Sequence, residues 1–236
     1  MSKSNWKIFE YDIIDSTNES AKKLCSNAYE KFIVTANAQT NGKGQFGRKW
    51  LAPPQKNMLA SFVINENLFD ANINIALATA IAVCKFLEKF SISPKCKWPN
   101  DILINNAKIA GILIEKFNYF FIIGIGLNIN WPEKITLLDN KKKATSILAE
   151  TGEKSNVKYA AISIAELLNS TFENKNIINE YKSYWNNNLK CHTLFNEKWI
   201  PVTLTDIDTN GALIAHSAEH GIIKINSSAL IKTNEI

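Results

Sequence analysis

Arginine is nearly missing from this 236-residue chain: of its 27 basic side chains, 26 are lysine and one, Arg48, is arginine. Lysine offers a point charge, whereas arginine offers a planar, always-charged fork that grips carboxylates and phosphates bidentately. A single arginine kept against that bias toward lysine, asparagine and isoleucine therefore stands out. Long apolar runs are absent too. The strongest, Ile75 to Cys84 and Tyr119 to Leu127, reach about ten residues, half of the ~20 that a spanning helix needs. The N-terminal MSKSNWKIFE has no apolar core, which argues against a secretory signal. The four cysteines form no CxxC pair and no Cys/His cluster at zinc spacing. That pattern excludes a disulfide framework and suits a reduced, cytoplasmic compartment. Histidine is scarce: His192, His216 and His220 lie in the last fifth of the chain, and no third ligand accompanies the pair His216 and His220.

What is there is an ordinary globular composition, 46% hydrophobic and 21% charged, which excludes disorder, collagen and coiled coil. The net charge of +5 suits an anionic substrate or a weak nucleic-acid contact without choosing between them. Strands are expected over 6–14, 31–38, 57–64 and 95–98. A capping-box spacing, Ser16-x-x-Glu19, opens a helix of about ten residues. Residues 73–90 are apolar nearly all round and predict a buried helix. The apolar stretch 101–130 reads as three strands with turns at Asn105-Asn106 and near Asn118, the centre of a sheet. The run Lys141-Lys142-Lys143 is read as a solvated loop. Two helices follow, over 157–174 and 176–189. Short strands then take over, with a boundary near 188–193, so that a catalytic domain of residues 1–190 carries a β-rich appendage of residues 191–236. An appendage of ~45 residues is too small for a large core of its own and should dock on the main domain.

Four constellations can carry chemistry. The loop Gly42-Lys43-Gly44-Gln45-Phe46-Gly47-Arg48-Lys49-Trp50 brings backbone N–H groups and positive charge together, as anion binding requires. It is not a P-loop, because Arg48 and Lys49 stand where Lys and Ser/Thr are needed. Lys97-Trp98-Pro99-Asn100-Asp101 offers oxygen ligands suited to magnesium, and equally good turn chemistry. Lys108, in Ala-Lys-Ile-Ala-Gly-Ile-Leu-Ile-Glu115, sits at the mouth of an apolar strand. Gly124-Ile-Gly126-Leu-Asn128 invites close approach of a flat ligand, with Asn128 able to read an adenine edge; it lacks the third glycine of a dinucleotide fingerprint.

The order of these pieces resembles the biotin protein ligases: Ser16-Thr17-Asn18, the basic glycine loop, KWPND, KIAGILIE, Gly-x-Gly-x-Asn and finally Ala144-Thr145-Ser146-Ile147. The resemblance runs from about Ile13 to Ile147. It implies an α+β fold, a mixed sheet flanked by helices of the class II synthetase-like kind, with a small, shortened SH3-like β-barrel at the C-terminus. It implies ligation of biotin, with ATP and Mg²⁺, to one lysine of the biotin carboxyl carrier protein of acetyl-CoA carboxylase, through biotinyl-5′-AMP. On that basis Ser16, Thr17, Asn18, Gln39, Lys43, Gly44, Gln45, Lys108 and Gly111 would hold biotin. Arg48, Trp50, Lys97, Asn100, Asp101 and Asn128 would hold ATP, and Asn100 and Asp101 the metal. Lys108 and Arg48 would be catalytic. A homodimer through sheet edges fits the family; a membrane role does not. DNA binding is not expected, because the chain begins about a dozen residues before Ser16. The loop departs from the family's usual GRGRxGRxW at Lys43 and Gln45, which implies weaker retention of the adenylate. A lipoate or octanoate ligase or transferase of the same superfamily is the rival reading, and a non-enzymatic nucleic-acid module a more distant one.

Overall fold

A computed structural model describes residues 6–25, 29–68, 70, 73–132, 135–137, 142–185 and 189–232. Along the chain run β1 (Lys7–Ile14), α1 (Thr17–Leu24), β2 (Lys31–Gln39), β3 (Asn57–Asn65), α2 (Ile75–Glu88), β4 (Lys95–Lys97), β5 (Asp101–Ile104), β6 (Ala107–Phe117) and β7 (Phe120–Asn128). There follow β8 (Ile135–Leu137), β9 (Lys142–Ala144), α3 (Ile147–Thr151), α4 (Val157–Phe172) and α5 (Ile177–Tyr184). The tail holds β10 (Lys190–Phe195), β11 (Lys198–Ile207), β12 (Leu213–Ser217), β13 (Gly221–Ile225) and β14 (Ile231–Lys232).

The main sheet is mixed, in the order β1-β2-β3-β7-β6-β5-β4, with β9 joined to β6 and β8 to β9. β1 and β2 are parallel, and β2 through β4 pair antiparallel. The meander β5–β6–β7 turns at Asn105-Asn106 and Asn118, all three at positive φ, the left-handed region asparagine tolerates better than most residues. α2 is buried on nearly every side, as its apolar pattern predicts. It packs with α4 and α5 on one face of the sheet, while α1 packs on the other.

The tail is a five-stranded antiparallel sheet, β13-β12-β11-β10-β14. Beside the three strands read from its turn residues, it includes β10 and β14, both at the β11 end of the sheet. It has no separate core: Val202, Leu204, Leu213 and Ile225 belong to the same cluster as α2 and α4. The docking is polar as well. The Trp98 indole N–H donates to Gly211 O at 2.8 Å, and Asn74 Nδ2 donates to Asn210 O at 2.9 Å. All four cysteines are buried and free. His216 and His220 are exposed, and no cluster of metal-ligating side chains occurs among the described residues. The lysine run is not a loop where it is described: Lys142 and Lys143 stand in β9, with Lys143 exposed; Lys141 lies outside the described residues. No helix among the described residues is long and apolar enough to cross a membrane.

Candidate active site

Side chains alternate across a strand, and that alternation builds the site. On β3, Met58, Ala60, Phe62 and Ile64 enter the core under α2 and α4. Asn57, Leu59, Ser61 and Val63 face the other way, where Val63 packs with Ala21 of α1. On β7 the same second face carries Gly124, Gly126 and Asn128, opposite Ser61, Leu59 and Asn57. Gly111 of β6 pairs with Gly126. These three glycines make a floor without side chains. A Cβ on Gly126 would collide with the Trp50 indole, and one on Gly124 with the Asn18 amide. A Cβ on Gly111 would lie 2.8 Å from the Trp50 ring and 3.0 Å from Lys108 Nζ. From Gly124 to Asn128 the floor runs about 14 Å, at ~3.4 Å per residue.

A β-bulge aims Lys108 onto this floor. Ile102 opposes Ala110, but Leu103 opposes Lys108, so Ile109 is the inserted residue. Ile109 and Ala110 are both buried in the core cluster. Strict alternation from Gly111 would have sent Lys108 into that core; the extra residue reverses its direction. Its ammonium meets Asp101 Oδ1 at 2.5 Å and stands 5.2 Å from the centre of the Trp50 ring. Its backbone carbonyl accepts from Thr145 N at 2.9 Å.

At one end of the floor lies the N-terminus of α1. The capping box expected from Ser16 and Glu19 does not form: Ser16 makes no capping bond with its side chain. The donors there are taken by others. Ser16 N donates to Asp15 Oδ1 at 2.7 Å, and Thr17 N donates to Gln39 Oε1 at 2.7 Å, with Thr17 Oγ1 at 3.2 Å from the same oxygen. Glu19 is drawn away by two ammonium groups, Lys22 at 2.8 Å and Lys43 at 2.7 Å. These hold its carboxyl down from the ordinary 4.5 to about 2. Ser16, Thr17 and Asn18 are all buried. Asn18 is committed to the protein: it donates to Glu115 Oε2 at 2.7 Å and accepts from Ser61 Oγ at 2.5 Å.

At the other end, Asn128 Nδ2 donates to Thr145 O at 2.9 Å. Its Oδ1 has no partner among the described residues; nor have Asn57 Oδ1, Asn57 Nδ2 and Trp50 Nε1, all buried. An unsatisfied buried polar group costs ~1–3 kcal/mol. Such a cluster is what a polar, flat ligand would satisfy. Asn57 was missed by the sequence reading; its only signal is an amide opening a largely apolar strand.

The glycine loop folds as a short hairpin, with Gly44 N to Arg48 O at 2.7 Å and Trp50 N to Gly42 O at 2.9 Å. A 3₁₀ turn, Gln45–Gly47, forms its tip, with Phe46 at φ 56°. Trp50 reaches in and lies on the glycine floor. Arg48 does not join Lys108: it is exposed at the tip, its guanidinium 5.9 Å from the centre of the Phe46 ring. Lys97 is exposed on β4, in the cross-sheet row that continues through Asp101, Gly111 and Gly126. Asn100 has its amide nitrogen committed to the protein, donating to Ile112 O at 3.1 Å. Of the two residues expected at a metal, Asp101 carries the carboxylate, and that carboxylate is the one against Lys108.

A model of the biotin/lipoate A/B protein ligase family matches residues 11–130, more than half of the chain. The chain belongs to the biotin/lipoate A/B protein ligase family. That span covers α1, the glycine loop, the bulged β6 and the glycine floor of β7. The bifunctional ligase/repressor BirA of Bacillus subtilis is 34% identical over 152 residues, 61% of this chain and 47% of that protein. A biotin–acetyl-CoA-carboxylase ligase of Mycobacterium tuberculosis is 28% identical over 155 residues, 58% of this chain and 57% of that protein. The chain thus spans about half the length of these two relatives. Among solved structures, the biotin protein ligase of Aquifex aeolicus in complex with biotin and ATP superposes with a TM-score of 0.82 at 25% identity, over 96% of this chain and 97% of that one. The mixed sheet with its C-terminal β domain is therefore the fold of a known member of the biotin/lipoate ligase family.

Proposed function

We propose that this protein adenylates biotin with ATP and then transfers the biotinyl group to a lysine of a carboxylase carrier protein. The observation that carries the reading is the glycine floor. It has Lys108 at its middle, a helix N-terminus with Ser16, Thr17 and Gln39 at one end, and at the other the unpartnered Asn57 amide and Asn128 Oδ1. Its length of about 14 Å suits an extended acyl adenylate better than a compact metabolite.

The chemistry follows from charge. A carboxylate oxygen attacks the α-phosphorus of ATP, the bond from that phosphorus to the bridging oxygen breaks, and pyrophosphate leaves with the electron pair. Two unit negative charges at 4 Å repel by ~4 kcal/mol at an effective dielectric near 20. The Lys108 ammonium offsets that repulsion, and more so as charge gathers on the transferring phosphorus centre. Asp101 and the Trp50 ring hold the ammonium over the floor in advance. In the second step a neutral lysine amine of the carrier attacks the acyl carbon, AMP leaves, and the amine loses a proton. The mixed anhydride is prone to hydrolysis, so a hairpin that covers it and excludes water has a purpose. Thr17, Gln39 and Ser16 supply the donors and acceptors that a buried ureido ring needs, and Asn57 and Asn128 those of an adenine edge. Asp101 would hold a magnesium ion brought with ATP, which would supply further positive charge against the phosphates.

Biotin-dependent ATP–pyrophosphate exchange tests the reading, with lipoate and octanoate in parallel. Exchange with biotin, lost in Lys108→Ala, is the expected result. Exchange with lipoate or octanoate in its place moves the protein to the sister branch. No exchange with any of the three overturns adenylation.

A further inference from the structure

One set of charges near the site has no part in the chemistry above. Lys43, on the glycine hairpin, pairs with Glu19 Oε1 at 2.7 Å. The same oxygen binds Lys22 at 2.8 Å, and Lys22 also reaches Glu115 Oε1 at 2.7 Å. The other Glu115 oxygen accepts from Asn18, which in turn accepts from Ser61 on β3. The chain of contacts therefore runs from a lysine side chain that is 42% exposed to a serine buried in the middle of the sheet. It crosses three elements, α1, β6 and β3, and ends on the wall beside Gly124.

We propose that Glu19 is a positioning residue that anchors the Lys43 limb of the hairpin, with Lys22 and Glu115 behind it, and so sets how long the acyl adenylate stays covered. The proposal rests on the adenylating function above. The hairpin's own backbone bonds, Gly44 to Arg48 and Trp50 to Gly42, fix its shape but not its seat on the protein. Its base is tied by Thr40 N to Ile14 O and Asn41 N to Asp15 O, each 2.9 Å. Beyond that base, the Lys43–Glu19 pair ties one limb to α1 and Trp50 ties the other to the floor. Neither Gln45 nor Lys43 has the forked grip of arginine. A carboxylate shared by two ammonium groups is a compact substitute. Lys22, fixed by Glu115 at the far side, keeps Glu19 from swinging with the loop.

The opposite role for the pair predicts the opposite sign. If Lys43 leaves Glu19 to bind the ligand's own carboxylate or phosphate, Glu19 competes with the ligand, and removing its charge slows release. The test is the release rate of preformed biotinyl-adenylate, with pyrophosphate removed, for the natural protein, Glu19→Gln, Lys43→Met and the double variant. Exposed ion pairs are weak, so each single variant should release the adenylate roughly two- to fivefold faster. The double variant should be no faster than the worse single, because both remove one interaction. Added salt should speed release from the natural protein and leave Glu19→Gln nearly unmoved, a response that a merely structural role for Glu19 would not show. Glu19→Asp should fall between the natural protein and Glu19→Gln. Unchanged or slower release in Glu19→Gln, or additive effects in the double variant, overturns the anchor while leaving the adenylating function intact. Failure of the natural protein to form any adenylate sinks the underlying function instead.

Discussion

The two faces of the main sheet are made by the same strands and do opposite work. Toward α2 and α4, β3, β6 and β7 present Phe62, Ile64, Ile109, Ile112, Ile123 and Ile125, all buried in one cluster. Toward α1 and the hairpin, the alternate positions are Asn57, Ser61, Gly111, Gly124, Gly126 and Asn128. One face is filled to stabilise the fold; the other carries three glycines over the site and leaves the Asn57 amide and Asn128 Oδ1 without partners. Stability and function are thus separated by a single residue step along each strand. Substitutions one position apart should give opposite phenotypes.

The largest effect is expected at Lys108, which the bulge moved from the first face to the second. Lys108→Ala should lower biotin-dependent pyrophosphate exchange by about 10²- to 10³-fold, the usual loss for one preorganised charge-stabilising group. Its side chain is 27% exposed, so thermal unfolding should shift little. A comparable loss of stability would mean that the bulge serves packing. Next come the neighbours Ile125 and Gly126. Ile125→Ala should cost about 2–5 kcal/mol in urea unfolding, the range for a truncated core aliphatic, and keep biotin binding while the protein stays folded. Gly126→Ala should do the reverse, because its new Cβ enters the space of the Trp50 ring over the floor; titration calorimetry with biotin reads the loss. Equal phenotypes for the pair would break the comparison.

Asn57 sharpens it further. A buried amide with both polar atoms unpartnered lowers the stability of the free protein. Asn57→Leu should therefore leave unfolding unchanged or shift it upward, while the KM for ATP rises about tenfold, as expected for removal of a hydrogen-bonding group worth ~1.4 kcal/mol. A destabilised Asn57→Leu with an unchanged KM would assign the residue to the wrong face.

The two faces also differ in how far they can be read from sequence. The apolar run of α2, the turns at Asn105, Asn106 and Asn118, and the isoleucine-rich strands follow from local propensity and period, and so does most of the core. The ligand face is legible only as a set of exceptions, the glycines and KWPND, whose meaning came from their order. Its details rest on tertiary events. Nothing local to Ala-Lys-Ile-Ala-Gly shows that Ile109 is inserted, because the bulge exists only against β5. Ser16-x-x-Glu19 has the spacing of a capping box, yet Asp15 takes the Ser16 N–H, and Lys22 and Lys43 take the Glu19 carboxylate. Asn100 and Asp101 are adjacent and alike in sequence, but they take different partners, a backbone carbonyl at Ile112 and the Lys108 ammonium.

The smallest expected effect is in pH, and it concerns the rim of the ligand face. Glu19 carries a carboxyl lowered from 4.5 to about 2 by Lys22 first and Lys43 next. A folded-state value below the unfolded one means that the ionised form is favoured by folding. That contribution is complete above about pH 4.5 and shrinks as the pH falls through about 2, where both states hold the proton. Urea midpoints of the natural protein and Glu19→Gln should therefore differ slightly at pH 6 and converge between pH 4.5 and 2. The gap should be small because the carboxylate is partly exposed and screened by solvent. A gap that widens on acidification would show that Glu19 is strained rather than supported by its two lysines, and would remove the rim from the functional face.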